Sequence, residues 1–421
     1  MYENFRFGLE IKKVVEKIEE KIKPIHSEID SIVEKNQYRV LTAFRNQKVA
    51  DFHFNPSTGY GYDDIGRDTL ENVYAEVFGA EAALVRPQII SGTHAISLSL
   101  FGVLRPGDEL LYITGRPYDT LEEIVGIRGE QNGSLRDFQI SYQAIPLTPE
   151  GTVDYHNVAK AIKPNTKLIG IQRSKGYATR PSFTIDQIKE MIKFVKEIKP
   201  EVFVFVDNCY GEFVEELEPC HVGADLVAGS LIKNPGGGLA KSGGYIVGKE
   251  MLVDLCANRL TAPGIGREAG PSLYSLHEMY QGFFLAPHIV GQALKGAVFS
   301  SALLEEYGFH TYPSWKQKRT DLVQSVQFQD REMMIAFCQA IQFASPVNAH
   351  VSPEPSYMPG YEDDVIMAAG TFIQGASIEL TADGPMRPPY EAYVQGGLTY
   401  EHVKIALITA INQLMEKGYI R

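Results

Sequence analysis

Cysteine is scarce in this chain. Its four cysteines, Cys209, Cys220, Cys256 and Cys338, lie far apart and form no C-x-x-C pair. Neither a disulfide framework nor a cysteine zinc site is expected, no metal is expected, and a reducing compartment suits them. Cys209 reads as an inert small core residue. Long apolar runs are also missing. The N-terminal segment has nothing near the roughly 18 apolar residues of a membrane span, and Lys12, Lys13, Glu16, Lys17, Glu19 and Glu20 break its helical pattern. A cytoplasmic location is therefore expected, without secretion or membrane insertion. Positive charge is in deficit: the formal net charge is -12 and the isoelectric point about 5.4. No basic stripe with interleaved aromatics offsets it, so nucleic acid is not an expected partner. Phosphate-loop motifs are absent as well. Neither G-x-x-x-x-G-K-[ST] nor G-x-G-x-x-G between a strand and a helix occurs, and Gly59-x-Gly61 lacks a third glycine at the right spacing.

What remains is an ordinary globular composition, 44% hydrophobic and 22% charged over 421 residues, enough for two or three domains. Residues 1–50 read as a charged amphipathic helical arm, with Leu9, Val14, Val15, Ile18, Ile22, Ile25 and Ile29 near helical spacing. From Phe52 to Tyr62 aromatics and turn formers mark an ordered loop. Short apolar runs then alternate with helical stretches: Leu110 to Ile113, Leu168 to Ile171, Val202 to Val206, Leu226 to Ile232 and Tyr245 to Val247. That alternation predicts an α/β domain with a parallel sheet over residues 51–275. Helical stretches at Ile289 to Tyr307 and Arg331 to Phe343, then an apolar glycine-rich region from Ile366 to Leu380, predict a smaller C-terminal α+β domain over residues 276–421.

Chemistry concentrates at the ends of the strands. Val202-Phe203-Val204-Phe205-Val206 reads as a fully buried strand that stops at Asp207-Asn208. Ligands of open α/β sheets bind at the carboxyl ends of strands, where an ionised acid meets a cationic ligand group. A lone strand-end aspartate equally suits a turn or a helix cap. Next, Gly229-Ser230-Leu231-Ile232-Lys233-Asn234-Pro235-Gly236-Gly237-Gly238 places a lysine between an apolar strand and three glycines. Desolvation there is expected to lower the lysine's pKa and favour the neutral amine that attacks an aldehyde, with Ser230 available to a phosphate. A solvated loop lysine is the plainer alternative. The turn Ser91-Gly92-Thr93 opens a helical pattern, offering an anion site at unpaired N–H groups or a simple N-cap. His94 reads as a structural histidine. Tyr118 follows the strand Leu110 to Ile113, suited to stacking on a flat heterocycle or to the core.

In their order along the chain these residues resemble the fold-type I pyridoxal 5'-phosphate (PLP) enzymes of the cystathionine and methionine lyase family. That family has a Ser-Gly turn for the phosphate, a ring-stacking tyrosine, an Asp-Asn pair ending a strand, and a Ser-x-x-Lys. Here Ser91-Gly92-Thr93, Tyr118, Asp207-Asn208 and Ser230-x-x-Lys233 match it. Gln172-Arg173-Ser174-Lys175-Gly176-Tyr177 and the glycines after Lys233 are similar to a branch of carbon–sulfur lyases linked to aluminium resistance and to methionine gamma-lyase.

The resemblance implies an aspartate aminotransferase-like fold with a mostly parallel seven-stranded sheet. It implies PLP held as a Schiff base on Lys233, with Asp207 on the pyridine nitrogen. Tyr62 matches a tyrosine that a neighbouring subunit contributes, which implies a homo-oligomer of at least two chains, or a tetramer. The family's arginine two residues after that tyrosine is Asp64 here, with Arg67 the nearest substitute. A substrate carboxylate calls for a guanidinium, and Arg387 is the candidate with Arg173 its competitor. The implied reaction is elimination of a thiol from a sulfur-containing amino acid, Lys233 removing the alpha proton and Tyr62 protonating the leaving sulfur. The same residues would serve an aminotransferase, a decarboxylase, an aldolase, or a protein that binds PLP without catalysis.

Overall fold

A computed structural model describes residues 2–130 and 132–421. The chain divides into two compact units, Asn36–Leu285 and a second made of Met1–Lys35 with Ala286–Arg421. The helix predicted for the arm is α1 (Gly8–Asn46). Ile11, Val15, Ile18, Ile22, Ile29, Asn36, Val40 and Ala43 are buried in it, and Leu9, expected on the apolar stripe, is exposed.

The first unit is built on a seven-stranded sheet formed by β1 (Ala82–Arg86), β2 (Glu109–Tyr112), β3 (Ser141–Ala144), β4 (Thr166–Gln172), β5 (Phe203–Asp207), β6 (Leu226–Ser230) and β7 (Gly244–Gly248), in the order β1-β7-β6-β5-β4-β2-β3. Strands β2 to β6 run parallel to one another, and β7 pairs antiparallel with both β1 and β6. The helices of this unit include α2 (Ile65–Phe78), α3 (Gly92–Val103), α4 (Glu122–Val125), α5 (Tyr155–Ala161), α6 (Ile185–Ile198) and α7 (Glu250–Leu260).

Five of these strands are the five apolar runs that the sequence marks. The reason is visible in β5, where Val204, Phe205 and Val206 are wholly buried. Successive strand residues point to opposite faces, so three in a row are buried only when both faces are covered. Each such side chain contributes about 1.5–3 kcal/mol. The other two strands carry weaker signals: β1 has two alanines, and Ser141 of β3 is exposed.

Helix starts follow their capping residues. Thr184 opens α6 with a capping box to Gln187, and Asp64 opens α2 by accepting from the Arg67 N–H at 2.9 Å. Asp64 is thus a helix cap, which is the structural use of the position where the related family has an arginine. Gly170 of β4 pairs with Tyr112 of β2 in register, and its missing Cβ leaves room for the Tyr112 ring, which a methyl group would meet at 2.5 Å.

The parallel register brings Gln172 beside Asp207 and Asp207 beside Ala228, so the polar ends of β4, β5 and β6 share one sheet edge. Arg173, the next residue after β4, is fully buried. Its Nη1 donates to Asn208 Oδ1 at 2.8 Å and stands 3.6 Å from Glu218 Oε2, and its Nη2 donates to Glu215 Oε1 at 3.1 Å. This corrects its expected role in substrate binding, because the guanidinium fork is turned inward onto two carboxylates and the side chain of Asn208.

The second unit holds an antiparallel sheet of β8 (His310–Tyr312), β9 (Gln324–Gln327), β10 (Val365–Ala368), β11 (Thr381–Pro385) and β12 (Glu391–Gln395), in the order β10-β11-β12-β9-β8. Helices α9 (Arg331–Phe343) and α10 (Tyr400–Glu416) accompany it, with the later part of α8 (Leu276–Glu306). The region from Ile366 to Leu380, read from sequence only as apolar and glycine-rich, supplies most of strand β10 and then a loop. Among the described residues no helix is long and apolar enough to cross a membrane.

Arg173→Met should destabilise the protein by about 3–5 kcal/mol by stranding two buried carboxylates. Burial already pushes the Glu218 carboxyl above its ordinary range, with Arg173 and Arg39 pulling it back. Removing Arg173 raises it further, so its charged form becomes the costly one and the loss grows as pH rises through the raised pKa. Denaturant unfolding of wild type and variant should show a larger stability gap at about pH 8 than at about pH 5, where the carboxyl takes up a proton. An equal gap at both would contradict this.

Candidate active site

A small cavity of about 40 Å3 lies at the carboxyl ends of the parallel strands, lined among others by Gly92, Thr93, Tyr118, Gln172, Ser174, Gly176, Asp207, Cys209, Tyr210 and Lys233. Four of the residues expected from sequence therefore meet there with Lys233: Gly92, Thr93, Tyr118 and Asp207.

Asp207 ends β5 almost wholly buried, and its Oδ1 accepts from the Cys209 N–H at 3.2 Å. Burial pushes its carboxyl above the ordinary range, and the positive charge of Lys233 offsets only part of that. A ligand cation placed against it would hold it ionised.

Lys233 lies in the connection between β6 and β7, with its Nζ 4.0 Å from the centroid of the Tyr210 ring. Its expected pKa needs correcting. Burial alone disfavours the ammonium, but Cys209, Tyr210, Asp207 and Glu212 together outweigh it and hold Lys233 above the ordinary lysine range. Desolvation is legible in the sequence, whereas the acidic groups gathered by the turn after β5 come together only in the fold.

The glycines after Lys233 have a steric cause. A Cβ on Gly236 would lie 1.7 Å from the Leu231 carbonyl oxygen, and one on Gly237 would lie 2.2 Å from the Gly282 oxygen. Asn234, buried beside them, donates to the Glu212 carbonyl at 2.9 Å.

The Ser91 hydroxyl caps α3, accepting from the His94 N–H at 3.0 Å, while the His94 ring accepts from the Ile90 N–H at 3.2 Å. Burial lowers the pKa of His94. The cap leaves the first-turn N–H groups of Gly92 and Thr93, which have no partner within the helix. A Cβ on Gly92 would meet Ser230 Cβ at 3.3 Å and Cys209 Sγ at 3.1 Å, so the start of α3 sits directly against the end of β6. Ser230 is buried there, and its Oγ accepts from the Ile232 N–H at 3.3 Å. Thr93 Oγ1 shares a 2.9 Å hydrogen bond with Thr120 Oγ1. Tyr118 is half-buried and close to Gly176, where a Cβ would lie 2.7 Å from the Tyr118 ring.

Two residues that the sequence did not single out as site residues contribute orphaned polar atoms. Gln172 Oε1 and Ser174 Oγ are buried without hydrogen-bond partners while their residues line the cavity. Such atoms cost free energy unless a ligand satisfies them. An acid for a ring nitrogen, a lysine for an aldehyde, a helix start beside a serine for a phosphate and an aromatic ring for stacking complete a set that fits PLP. Tyr210 and Glu212 were also missed. The Glu212 carboxyl is pushed up to about 8 by burial, against the Tyr245 hydroxyl, which donates to its Oε1 at 2.7 Å. The available signal was the stretch Cys209-Tyr210-Gly211-Glu212, polar and glycine-containing just after a buried strand.

Other expected residues are placed elsewhere. Tyr62 is exposed, with its ring stacked 5.3 Å from that of Tyr60, and is not in the cavity lining. Arg67 is buried, its Nη1 donating to the carbonyls of Gly61 at 2.6 Å and Gly270 at 3.0 Å, so it ties two loops together. Arg387 belongs to the second unit, in the β11–β12 connection, where its Nη1 donates to Asp363 Oδ2 at 2.8 Å.

The family model for methionine gamma-lyase matches residues 11–415. An uncharacterized Bacillus subtilis protein, YnbB, is 71% identical over 421 residues, covering 100% of both chains. A solved Bacillus cereus protein is 72% identical with a TM-score of 0.94, covering 96% of this chain and 99% of that one. A solved Clostridium novyi protein, described as a carbon-sulfur lyase involved in aluminum resistance, is 46% identical with a TM-score of 0.93 over 96% of each chain. With a match that spans nearly its whole length, the chain belongs to the methionine gamma-lyase family.

Proposed function

We propose that this chain is a PLP-dependent carbon–sulfur lyase that eliminates a thiol from a sulfur-containing amino acid such as cystathionine, cysteine or methionine. Membership of the family supports lyase chemistry, and the observation that carries the site reading is the convergence of Asp207, Lys233 and the start of α3 on one cavity. When bound, PLP supplies an aldehyde that captures amines and a cationic ring that takes up the electrons released at a substrate's alpha carbon.

Lys233 Nζ would be the group that anchors it, and once free would be the base that carries the alpha proton. Asp207 would hold the ring nitrogen protonated, a task suited to a carboxylate with so little water around it. The N–H groups of Gly92 and Thr93, with Ser230 and the Ser91 turn, take the phosphate, and the N-terminal helix dipole favours its charge. Tyr118 covers the ring. Ser174 and Gln172 present their orphaned oxygens to the ligand's polar edge.

Tyr62 completes the site of a neighbouring copy and protonates the departing sulfur. Its exposure, its stacking on Tyr60 and its place outside the lining of its own chain's cavity support that reading. The protein is then a homo-oligomer, a dimer at least. Arg387 clamps the substrate carboxylate by exchanging Asp363 for it. The acidic net charge and scattered cysteines support a cytoplasmic enzyme.

Purified protein should take up added PLP and gain a visible absorption band, and Lys233→Ala should lose it. A wild-type protein that stays colourless with excess PLP sinks the reading. Incubation with cystathionine, cysteine or methionine should release keto acid and thiol together, and transfer of the amino group to an added keto acid would mark an aminotransferase instead.

Tyr62→Phe and Lys233→Ala should each be nearly inactive alone. Mixing the two after dissociation and reassembly should restore activity, because some sites then draw Lys233 from one chain and Tyr62 from the other. No recovery in a mixture shown to exchange subunits would place Tyr62 outside the shared site.

A further inference from the structure

The proposed function leaves the freed lysine without a holder. While Lys233 is bonded to the cofactor its position is fixed by that bond, but during turnover its amine is detached and must stay poised beside the substrate. Asp207 is then occupied by the ring nitrogen. We propose that Tyr210 is a positioning residue whose ring face holds the Lys233 side chain when its amine is not bonded to the cofactor, and holds it most firmly as the ammonium formed once the alpha proton has been taken up, a proposal that rests on the reading of Lys233 given above.

Three observations carry it. Lys233 Nζ lies 4.0 Å from the Tyr210 ring centroid, within the range of a cation–π contact, and both residues line the same cavity. Tyr210 has φ of +72°, a left-handed conformation that side-chain-bearing residues rarely adopt. Such strain persists where the surroundings over-determine it, and it aims the ring at the lysine. The chemistry also favours an aromatic face. A carboxylate against the amine could take its proton, whereas a ring face attracts the ammonium and cannot accept one. The titratable groups acting on Lys233 are Asp207, Cys209, Tyr210 and Glu212, all from the end of β5 and its turn, and Tyr118 lines the same cavity.

The distinguishing feature is that the clasp opposes capture of the cofactor, which needs the neutral amine, while it assists turnover, which needs a placed one. The test uses full-length protein stripped of PLP, with capture followed by absorbance as a function of pH in wild type, Tyr210→Phe and Tyr210→Leu. In Tyr210→Leu the midpoint of capture should fall by on the order of one pH unit as the ammonium loses its support. Turnover in the same variant should drop about tenfold with KM unchanged. Tyr210→Phe keeps the ring and should match wild type in both. A Tyr210→Leu midpoint equal to wild type, or capture and turnover slowed together, would overturn the proposal. If Tyr210→Leu fails to fold, Tyr210→Trp against Tyr210→Phe decides: indole binds cations more strongly, so its midpoint should be the higher, and equal midpoints overturn the proposal. Wild-type protein that captures no cofactor would overturn this proposal and the function it rests on, while a capturing wild type with indifferent variants removes this proposal alone.

Discussion

A carboxyl and an amine that both pay for desolvation meet at one sheet edge, and the rest of the first unit is arranged around them. Asp207 is almost wholly buried, and burial raises its pKa despite the lysine nearby. Lys233 is held above its ordinary range by the acidic groups around it. Neither residue would be tolerated there on grounds of stability alone, since hydrophobic side chains of similar size would pack at lower cost. A cation placed against Asp207 would remove the carboxyl's penalty. The apolar strands make this possible: β5 and β6 need both faces covered, and the cover excludes the water that would otherwise screen the pair.

The parallel topology explains why the parts arrive together. Strands β4, β5 and β6 run in the same direction and in register, so their last residues lie on one edge although they are far apart in sequence. The start of α3 reaches that edge because Gly92 has no Cβ to push it off Ser230 and Cys209. Ser91 caps the helix below, which leaves the first-turn amides available to an anion. The glycine in the Ser-Gly-Thr turn therefore eases this close packing, where a Cβ would meet Cys209 Sγ at 3.1 Å.

The legible features were those whose signal is local. Five apolar runs announced five strands, and the strand-end position of Asp207 followed from where its run stops, whereas β6 ends at Ser230, three residues before Lys233. Strand β1 was hidden because Ala82 and Ala83 have little strand preference, and β3 because a partly exposed edge strand such as Ser141-Tyr142-Gln143-Ala144 need not be apolar. Charge states were legible in sign only when one effect dominated. For Lys233 the sequence reveals the buried strand before it but not which groups the chain folds against it, and Cys209, Tyr210, Asp207 and Glu212 together reverse the outcome. Asp64 and Arg67, set against a phosphate-binding position, are instead a helix cap and a tie between loops.

Arg173 shows how far the site depends on groups that never line it. Its guanidinium fixes the side chain of Asn208, the residue after Asp207, and also meets Glu215 and Glu218. Glu218 in turn accepts from the Phe213 N–H at 2.8 Å, and Asn208 Nδ2 donates to Glu218 at 3.0 Å. A Cβ on Gly211 would meet Arg173 Cδ at 2.5 Å, so the glycine lets the arginine pass beneath the turn. Tyr210 and Phe213, two of the chain's left-handed non-glycine residues, fall within this tied stretch. The turn from Asp207 to Phe213 is thus tied to a buried ion cluster through Asn208 and the Phe213 N–H. Asp207, Cys209 and Tyr210 of this turn line the cavity with Lys233.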